Sequence, residues 1–286
     1  MIKSVSNYYQ LAKPGIIYGN LLTAVAGFFC ACRVWHAGSV GLFVALVFGT
    51  MCVIGSACVF NNYEDRGIDA KMDRTKNRSL VDGSISGRNA LVYASILGVF
   101  GFVLIFVWVN ALAGLLELFG FFSYVVLYGV AKRRTSSGVI VGSIPGAIPI
   151  VAGYCAISGR FDAAALILFI ILVLWQMPHF YGIALYREEE YRAAGVPVLP
   201  AVKGIRWTKI EMLAYTILFF AATMSLVWLG FAGWVYGMVM ACSCIVWIGL
   251  AVRGFSSKKS AAAWGRSMFL FSLIIIVIFS VIVSIP

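Results

Sequence analysis

Long apolar stretches alternate with short polar segments along the whole chain. Nine apolar stretches lie near residues 15–35, 39–61, 89–109, 111–131, 138–157, 163–183, 211–229, 232–252 and 266–285. Each is close to the length of ~20 residues that an α-helix needs to cross a bilayer. Lipid offers no partner to an unpaired backbone group, and the residue-by-residue alternation of a membrane barrel strand is missing. The pattern predicts an all-α integral membrane protein, a bundle of nine transmembrane helices.

Lysine and arginine are confined almost entirely to alternate connecting segments. One set comprises the N-terminus and the segments near 62–88, 132–137, 184–210 and 253–265. Of the 22 basic residues, only Arg33 and Arg160 lie on the other set. Because basic residues collect on the cytoplasmic side, the N-terminus is predicted to be cytoplasmic and the C-terminus to lie on the opposite side. We expect the functional residues to lie on the two long cytoplasmic loops, near 62–88 and 184–210.

Composition narrows the class of protein further. The chain has 286 residues, of which 62% are hydrophobic and 12% charged, whereas a soluble domain has roughly 25% charged residues. Soluble enzyme folds, nucleic-acid modules, secreted disulfide scaffolds and disorder are therefore excluded. The net charge of +11 is interpreted as membrane orientation, so no nucleic acid is expected as a partner. We expect a single domain over 1–286, with its first span retained because no cleavable signal core precedes it.

The second apolar stretch runs into the acidic block NNYEDRGIDAKMDRTKNRSL. In this block Asn61, Asp65, Asp69 and Asp73 recur at every fourth position. On an α-helix each step of four advances about 6 Å and turns about 40°, which would align the four side chains on one face at the membrane edge. Carboxylates spaced in this way repel one another, so the block needs positive charge nearby.

Two explanations supply that positive charge. In the first, neighbouring basic residues neutralise a solvated helical face; these are Arg66, Lys71, Arg74 and Lys76. In the second, the oxygens of Asn61, Asp65 and Asp69 bind Mg²⁺, which usually bridges to substrate phosphates. The basic residues then bind a diphosphate, whose charge exceeds that of one metal ion. We favour the second explanation, with Mg²⁺ as the cofactor.

The sixth apolar stretch ends in LWQMPHFYGIALYREEEYRAAGVPVLPAVKG. Its acidic run, Glu188 to Glu190, is either a solvated surface or a second set of diphosphate ligands facing the first, in which Glu190 and Arg187 are the preferred members. His179 follows Pro178 inside the span, and an ionisable group at that depth is a functional candidate. It is either a structural histidine, a metal or haem-iron ligand, or a proton acceptor. His36 is expected to be incidental.

Two further groups are candidates for substrate binding. Aromatic rings near the cytoplasmic half of the spans include Tyr128, and ring faces stabilise positive charge. The basic run that contains Lys132 and Arg133 either serves topology or holds a diphosphate or a carboxylate. A diphosphate site at the mouth of an apolar bundle suits a polyprenyl diphosphate, whose departure leaves an allylic cation for an apolar acceptor to attack.

These motifs resemble those of a known superfamily. The N-x-x-x-D-x-x-x-D pattern after the second of nine spans is similar to that of the UbiA superfamily of intramembrane prenyltransferases. The blocks NNYEDRGIDAKMDRTKNRSL, GSIPGAIPIVAGYCA, LWQMPHFYGIALYR and GVPVLPAVKG most closely resemble its haem-farnesylating family. The resemblance covers nearly the whole chain, and its first and third blocks are highly specific.

The resemblance implies a reaction and roles for the candidate residues. The substrates would be farnesyl diphosphate and protohaem IX, whose vinyl group would be farnesylated to give haem O and pyrophosphate. Asn61, Asp65 and Asp69 match the diphosphate–Mg²⁺ motif, which Asp73 extends, and Arg66 and Lys76 match basic positions of the same block. His179 matches a histidine that is a candidate for haem contact. Tyr128 falls near a family tyrosine, and Glu190 stands where an aspartate is expected.

Two alternatives remain beside this reading. One is a prenyltransferase of quinone synthesis with an aromatic acceptor, although such enzymes usually carry a second aspartate-rich ladder in place of R-E-E-E-Y. The other is a multi-pass transporter, or a non-catalytic haem-binding protein for haem–copper oxidase assembly. The resemblance also implies the bacterial plasma (inner) membrane, an active site facing the cytoplasm, and a downstream haem-modifying enzyme or oxidase assembly as a possible partner.

Overall fold

The computed structural model is built almost entirely of helices. It describes residues 2–32, 37–256 and 260–285. Within these ranges nine helices are long and apolar enough to span a bilayer, and no β-strand occurs. The prediction of an all-α, multi-pass membrane protein with nine spans is confirmed. The expectation for His36 lies outside the described residues.

The helices follow one another with short connections. In chain order they are α1 (Ile2–Leu11), α2 (Pro14–Ala31), α3 (Ala37–Asp69), α4 (Gly87–Trp108), α5 (Ala111–Phe122), α6 (Gly129–Arg134), α7 (Gly138–Ser158), α8 (Ala163–Tyr186), α9 (Glu188–Ala193), α10 (Leu199–Lys203), α11 (Ile205–Trp228), α12 (Trp234–Ser256) and α13 (Ala261–Val283). A six-residue π-helical turn (Ser123–Tyr128) joins α5 to α6, so these three segments form one span.

Two spans depart most from their predicted limits. Helix α3 continues to Asp69, two turns beyond the predicted end near residue 61. The first part of the loop predicted at 62–88 is therefore helical. Helix α11 begins at Ile205 rather than near 211, and the loop before it contains the short helices α9 and α10. Both extensions mix charged or polar residues with apolar ones, so they interrupt the continuous apolar pattern from which the spans were predicted.

Polar side chains cap the start of four spanning helices. The side chains of Ser86, Asn110, Asp162 and Ser260 each accept a hydrogen bond from a backbone amide two or three residues further along. Such caps satisfy amides that the helix itself leaves without a partner and contribute about 1 kcal/mol each. They fix where α4, α5, α8 and α13 begin.

The first compact unit comprises Met1–Val130 and Ile148–Arg160. In it α3 packs along α4 and against α2, and α4 packs on α5. A buried cluster joins Leu11, Ala12 and Ile17 at the α1–α2 junction to Val59 of α3 and to the start of α4. This cluster anchors the polar end of α3, which carries the acidic motif.

The second compact unit comprises Ala131–Ala147 and Phe161–Pro286. Helix α8 packs against α11 and α13, and α12 packs on both of these. Helices α8 and α13 meet at two glycines, since a Cβ atom on Gly182 would lie 2.9 Å from the Gly265 carbonyl oxygen. The aromatic and polar residues around His179 lie on these two helices. A single domain over 1–286 stays a prediction.

Candidate active site and family

Three residues of the acidic motif occupy successive turns at the end of α3. Asn61, Asp65 and Asp69 are four residues apart on a continuous helix and therefore share one face. Asn61 and Asp69 are buried, and Asp65 is half-buried. The structure thus gathers two carboxylates and one amide on a single helical face, as the spacing predicts.

Asp73 does not continue this face, and that part of the prediction is wrong. Helix α3 ends at Asp69, where the buried Thr75 hydroxyl donates a 2.8 Å hydrogen bond to the Asp69 carbonyl oxygen and closes the turn. The Asp73 side chain is 88% exposed and pairs with Lys76 at 2.7 Å. The hydrogen bond from Lys76, helped by its charge, lowers the pKa of Asp73 below its usual value.

Arg78 holds the buried carboxylate of the motif. Its Nη1 atom donates to Asp69 Oδ2 at 2.6 Å and to Asn62 Oδ1 at 3.0 Å. The Asn62 amide in turn donates to the Leu11 carbonyl oxygen at 2.8 Å. Arg78 therefore ties the loop after α3 to the motif and to the end of α1. It was not among the predicted site residues.

Lys13 supplies a second cation from the α1–α2 junction. Its Nζ atom donates to Asn61 Oδ1 at 2.9 Å. Lys13 has φ 56° and ψ 68°, and it is the one non-glycine residue with positive φ in the described ranges. Left-handed backbone costs a non-glycine residue energy, and residues held in such a conformation cluster at functional sites. Lys13 was not among the predicted site residues.

The Asn61 side chain keeps one buried donor unused. Its Oδ1 atom accepts from Lys13, while Nδ2 has no hydrogen-bond partner among the described residues. A buried donor without a partner costs about 1–3 kcal/mol. An anionic oxygen of a bound diphosphate would satisfy it, which fits the proposed ligand.

The donor set fits Mg²⁺ that arrives with a diphosphate. Within the described part of the chain, no three His, Cys, Asp or Glu side chains gather closely enough to hold a metal by themselves. Mg²⁺ usually takes one or two carboxylates and completes its sphere with water and phosphate oxygens. Asp65 and Asp69 supply two carboxylates, so the site suits a metal–diphosphate pair better than a metal alone.

Two of the predicted basic residues, Arg66 and Lys76, contact residues close to them in the sequence. Arg66 donates to the Tyr63 carbonyl oxygen at 2.6 Å, and its guanidinium lies 4.2 Å from the centre of the Tyr63 ring. Lys76 pairs with Asp73. Both side chains are exposed, and neither forms a hydrogen bond to the acidic face of α3 among the described contacts. Their expected role in substrate binding stays a prediction.

The π-helical turn places two aromatic rings beside the motif. Tyr124 and Tyr128 stack with ring centres 5.5 Å apart and an angle of 24° between their planes. The Tyr124 hydroxyl lies within electrostatic range of Asp65. Because π-helical turns often occur at functional sites and ring faces stabilise cations, this pair suits a carbocation. Tyr128 was a predicted site residue, whereas Tyr124 was not.

The remaining predicted residues lie in the second unit. Lys132 and Arg133 occupy the last turn of α6, where cations stabilise unpaired carbonyl groups. Arg187 pairs with Glu190 at 2.6 Å, and both side chains are about one-third exposed. The Tyr186 ring has the guanidinium groups of Arg187 and Arg266 within 5.1 Å and 5.4 Å of its centre. Whether this acidic run faces the first motif stays a prediction.

His179 sits in a polar and aromatic cluster on α8 and α13. Its Nδ1 atom lies 2.8 Å from the Ser272 hydroxyl. The Trp175 ring stacks on the imidazole at 4.8 Å, with Phe180 and Phe269 further around it. The ring is thus fixed by neighbours on two helices. Its role in haem contact stays a prediction.

Comparison with known sequences decides the family. The model of the UbiA prenyltransferase family matches residues 20–273 of the chain. The chain belongs to the UbiA prenyltransferase family. Two curated UbiA-family relatives are both named protoheme IX farnesyltransferase. The one from Yersinia enterocolitica is 46% identical over 282 residues, covering 98% of this chain and 94% of the relative. The one from Sodalis glossinidius is 45% identical over 284 residues, with the same coverage.

Solved structures show the same UbiA fold. A digeranylgeranylglyceryl phosphate synthase superposes with a TM-score of 0.79 at 17% identity, covering 98% of this chain and 99% of that one. A UbiA homologue from Archaeoglobus fulgidus, bound to DMAPP and Mg²⁺, superposes with a TM-score of 0.70 at 16% identity and covers 98% and 100%. The resemblance inferred from the sequence blocks is confirmed.

Proposed function

We propose that this UbiA-family enzyme transfers the farnesyl group of farnesyl diphosphate to a vinyl group of protohaem IX, giving haem O and diphosphate. The observation that carries the proposal is the polar end of α3, where Asp65, Asp69 and the unused Asn61 donor lie with Lys13 and Arg78. Haem as the acceptor is supported by a relative named protoheme IX farnesyltransferase, which is 46% identical over 98% of this chain.

The α3 site would promote departure of the diphosphate. Asn61, Asp65 and Asp69 would hold Mg²⁺, which neutralises the leaving group when it is bound. Arg78 keeps the Asp69 carboxylate in place and Lys13 keeps the Asn61 amide in place. Use of Mg²⁺ is supported by the Archaeoglobus fulgidus homologue, which carries DMAPP with this ion.

The bond changes balance without another reactant besides water. The C–O bond between farnesyl C1 and the diphosphate breaks, and a C–C bond forms from C1 to the terminal vinyl carbon. Water adds to the carbocation that this leaves on the neighbouring carbon, and one proton is released. The stacked rings of Tyr124 and Tyr128 would stabilise the allylic cation before the acceptor attacks it.

The reaction is proposed for the cytoplasmic side of a bacterial plasma membrane. The supporting observation is the distribution of basic residues, since the segment after α3 belongs to the basic set. The product keeps an apolar tail and stays in the bilayer. A membrane-bound haem-modifying enzyme or the oxidase assembly machinery would therefore be its consumer.

Asp65→Asn and Asp69→Asn test the proposal directly. Both variants keep the side-chain shape and remove the charge, so farnesyl transfer should fall by about 10²-fold or more, as when one transition-state contact is lost. Membranes supplied with farnesyl diphosphate, haem and Mg²⁺ are analysed for farnesylated haem by mass spectrometry. Protein level and haem binding should persist.

Asp82→Asn is the matched control for this experiment. Asp82 lies in the loop that follows α3, and its side chain accepts a hydrogen bond from the Ser84 amide. This variant should transfer farnesyl at the wild-type rate. Wild-type membranes that prenylate hydroxybenzoate and leave haem unmodified would show that the acceptor is wrong, and full activity of Asp65→Asn would remove the proposed metal site.

A further inference from the structure

The Ser272 hydroxyl makes two short contacts that together specify a proton position. Ser272 is fully buried on α13. Its Oγ atom lies 2.6 Å from the Phe269 carbonyl oxygen and 2.8 Å from His179 Nδ1. Both distances are within the normal range of hydrogen bonds. All three residues belong to the second compact unit.

The single hydroxyl proton can serve one of these contacts only. Two oxygen acceptors do not approach to 2.6 Å without a proton between them, so the Ser272 proton points to the Phe269 carbonyl. The Ser272 oxygen must then accept, and His179 Nδ1 must donate. In the neutral imidazole the lone pair consequently resides on Nε2.

The surrounding groups hold the ring without competing for Nε2. Trp175 stacks on the imidazole, and its Nε1 atom donates to the Ser272 carbonyl oxygen at 2.9 Å. Phe180 and Phe269 contribute ring contacts that offer no acceptor or donor at ordinary strength. Among the described residues Nε2 has no hydrogen-bond partner, so its lone pair is available to a ligand.

We propose that Ser272 is a positioning residue that fixes His179 in the Nδ1-protonated form, so that Nε2 binds the iron of the acceptor haem. This inference rests on the proposed function, in which haem is a substrate. Imidazole nitrogen is a common haem-iron ligand, and the group bonded to the other ring nitrogen sets which nitrogen binds. Ser272 fills that outer position from the neighbouring helix.

The ring proton can be located before any haem is added. The chain has two histidines, so His36→Gln leaves His179 as the single imidazole in the full-length protein. Nitrogen-15 spectra of histidine-labelled protein should show a protonated Nδ1 and an unprotonated Nε2. Ser272→Ala should populate the opposite form. A wild-type ring with its proton on Nε2 overturns the proposal and leaves farnesyl transfer as a separate question.

Haem titration tests the second half of the proposal. Ser272→Ala should weaken nitrogen-ligated ferric haem binding, read from the Soret band, by about 10- to 100-fold. Ser272→Thr keeps the hydroxyl acceptor and should restore the affinity. Ser280→Ala is the control, because Ser280 is a buried serine of α13 whose hydroxyl has no partner among the described residues. Unchanged affinity in Ser272→Ala overturns the proposal, whereas failure of the wild type to farnesylate haem is scored in the separate transfer assay.

Discussion

Arg78 and Lys13 show how the candidate site depends on residues far apart in the chain. The acidic residues follow one another at a fixed spacing, and helix geometry alone predicts that they share a face. Their cationic partners reach them by tertiary folding, one from the loop after α3 and one from the α1–α2 junction. Spacing along the sequence carries no information on such contacts, which is why neither residue was predicted.

Arg78→Met should impair both stability and transfer. The Asp69 carboxylate is 5% exposed, and losing its cation would leave a buried charge uncompensated. Removing one partner of a fully buried pair costs about 3–5 kcal/mol, and the partial exposure of Arg78 places the expected cost near or below the lower limit. Thermal unfolding in detergent and the farnesyl transfer assay provide the two measurements.

Lys71→Met controls for the loss of charge in the same loop. The Lys71 side chain is exposed, and among the described residues it forms no hydrogen bond or ion pair. Its replacement should leave melting temperature and activity close to wild type. Equal effects of the two substitutions would mean that general loop charge, and not the Asp69 contact, is what matters.

At the scale of elements, α2 and α7 pack more closely than side chains permit. A Cβ atom on Gly27 would lie 1.9 Å from the Ile150 carbonyl oxygen, and one on Gly153 would lie 2.0 Å from that of Ala24. Small residues allow membrane helices to bring their backbones together in this way. The two glycines act reciprocally, so each helix provides the space that the other occupies.

Gly27→Ala should therefore destabilise the first unit. The added methyl group meets backbone, which cannot rotate away, so the cost should reach or exceed the ~1–3 kcal/mol typical of overpacking. Gly19→Ala on the same helix is the control, because a Cβ atom there has nothing within 4 Å. Thermal melts of the two purified variants decide the matter, and equal melting temperatures would contradict the close approach.

The limits of the helices were less predictable than their existence. The nine membrane spans follow from the apolar pattern, because lipid forces every backbone group to pair within its own segment. The end of α3 at Asp69 depends instead on Thr75, six residues further along, whose hydroxyl donates a hydrogen bond to the Asp69 carbonyl oxygen. The aligned face could be predicted as far as Asp69, but the exclusion of Asp73 required the course of the loop.

For the whole molecule, charge placement still predicts how the bundle is oriented. The set of segments that contains the N-terminus and the motif is rich in Lys and Arg, and the opposite set is nearly without them. Such asymmetry arises because basic loops stay on the cytoplasmic side during insertion. With the nine spans found in the described residues, the two termini are predicted to lie on opposite sides of the membrane.

Reporter fusions test this orientation. Alkaline phosphatase fused after Ile285 should be active, because that end is expected outside the cytoplasm. The same enzyme inserted between Asp82 and Gly83 should be inactive, and a fluorescent protein at that point should be bright. The two fusion sites serve as controls for each other, and the reverse pattern would place the acidic motif in the opposite compartment.

The π-helical turn at Ser123–Tyr128 affects the direction in which the later side chains of its span point. A π-helical turn holds one residue more than an α-helical turn, and each α-helical residue turns the chain by about 100°. Without that extra residue, every later residue of the span would be rotated by about 100°. A side chain would then replace Gly129 at the point where a Cβ atom meets the Glu64 carboxylate at 2.7 Å. One extra residue in the π-helical turn thus determines which residues of this span face α3.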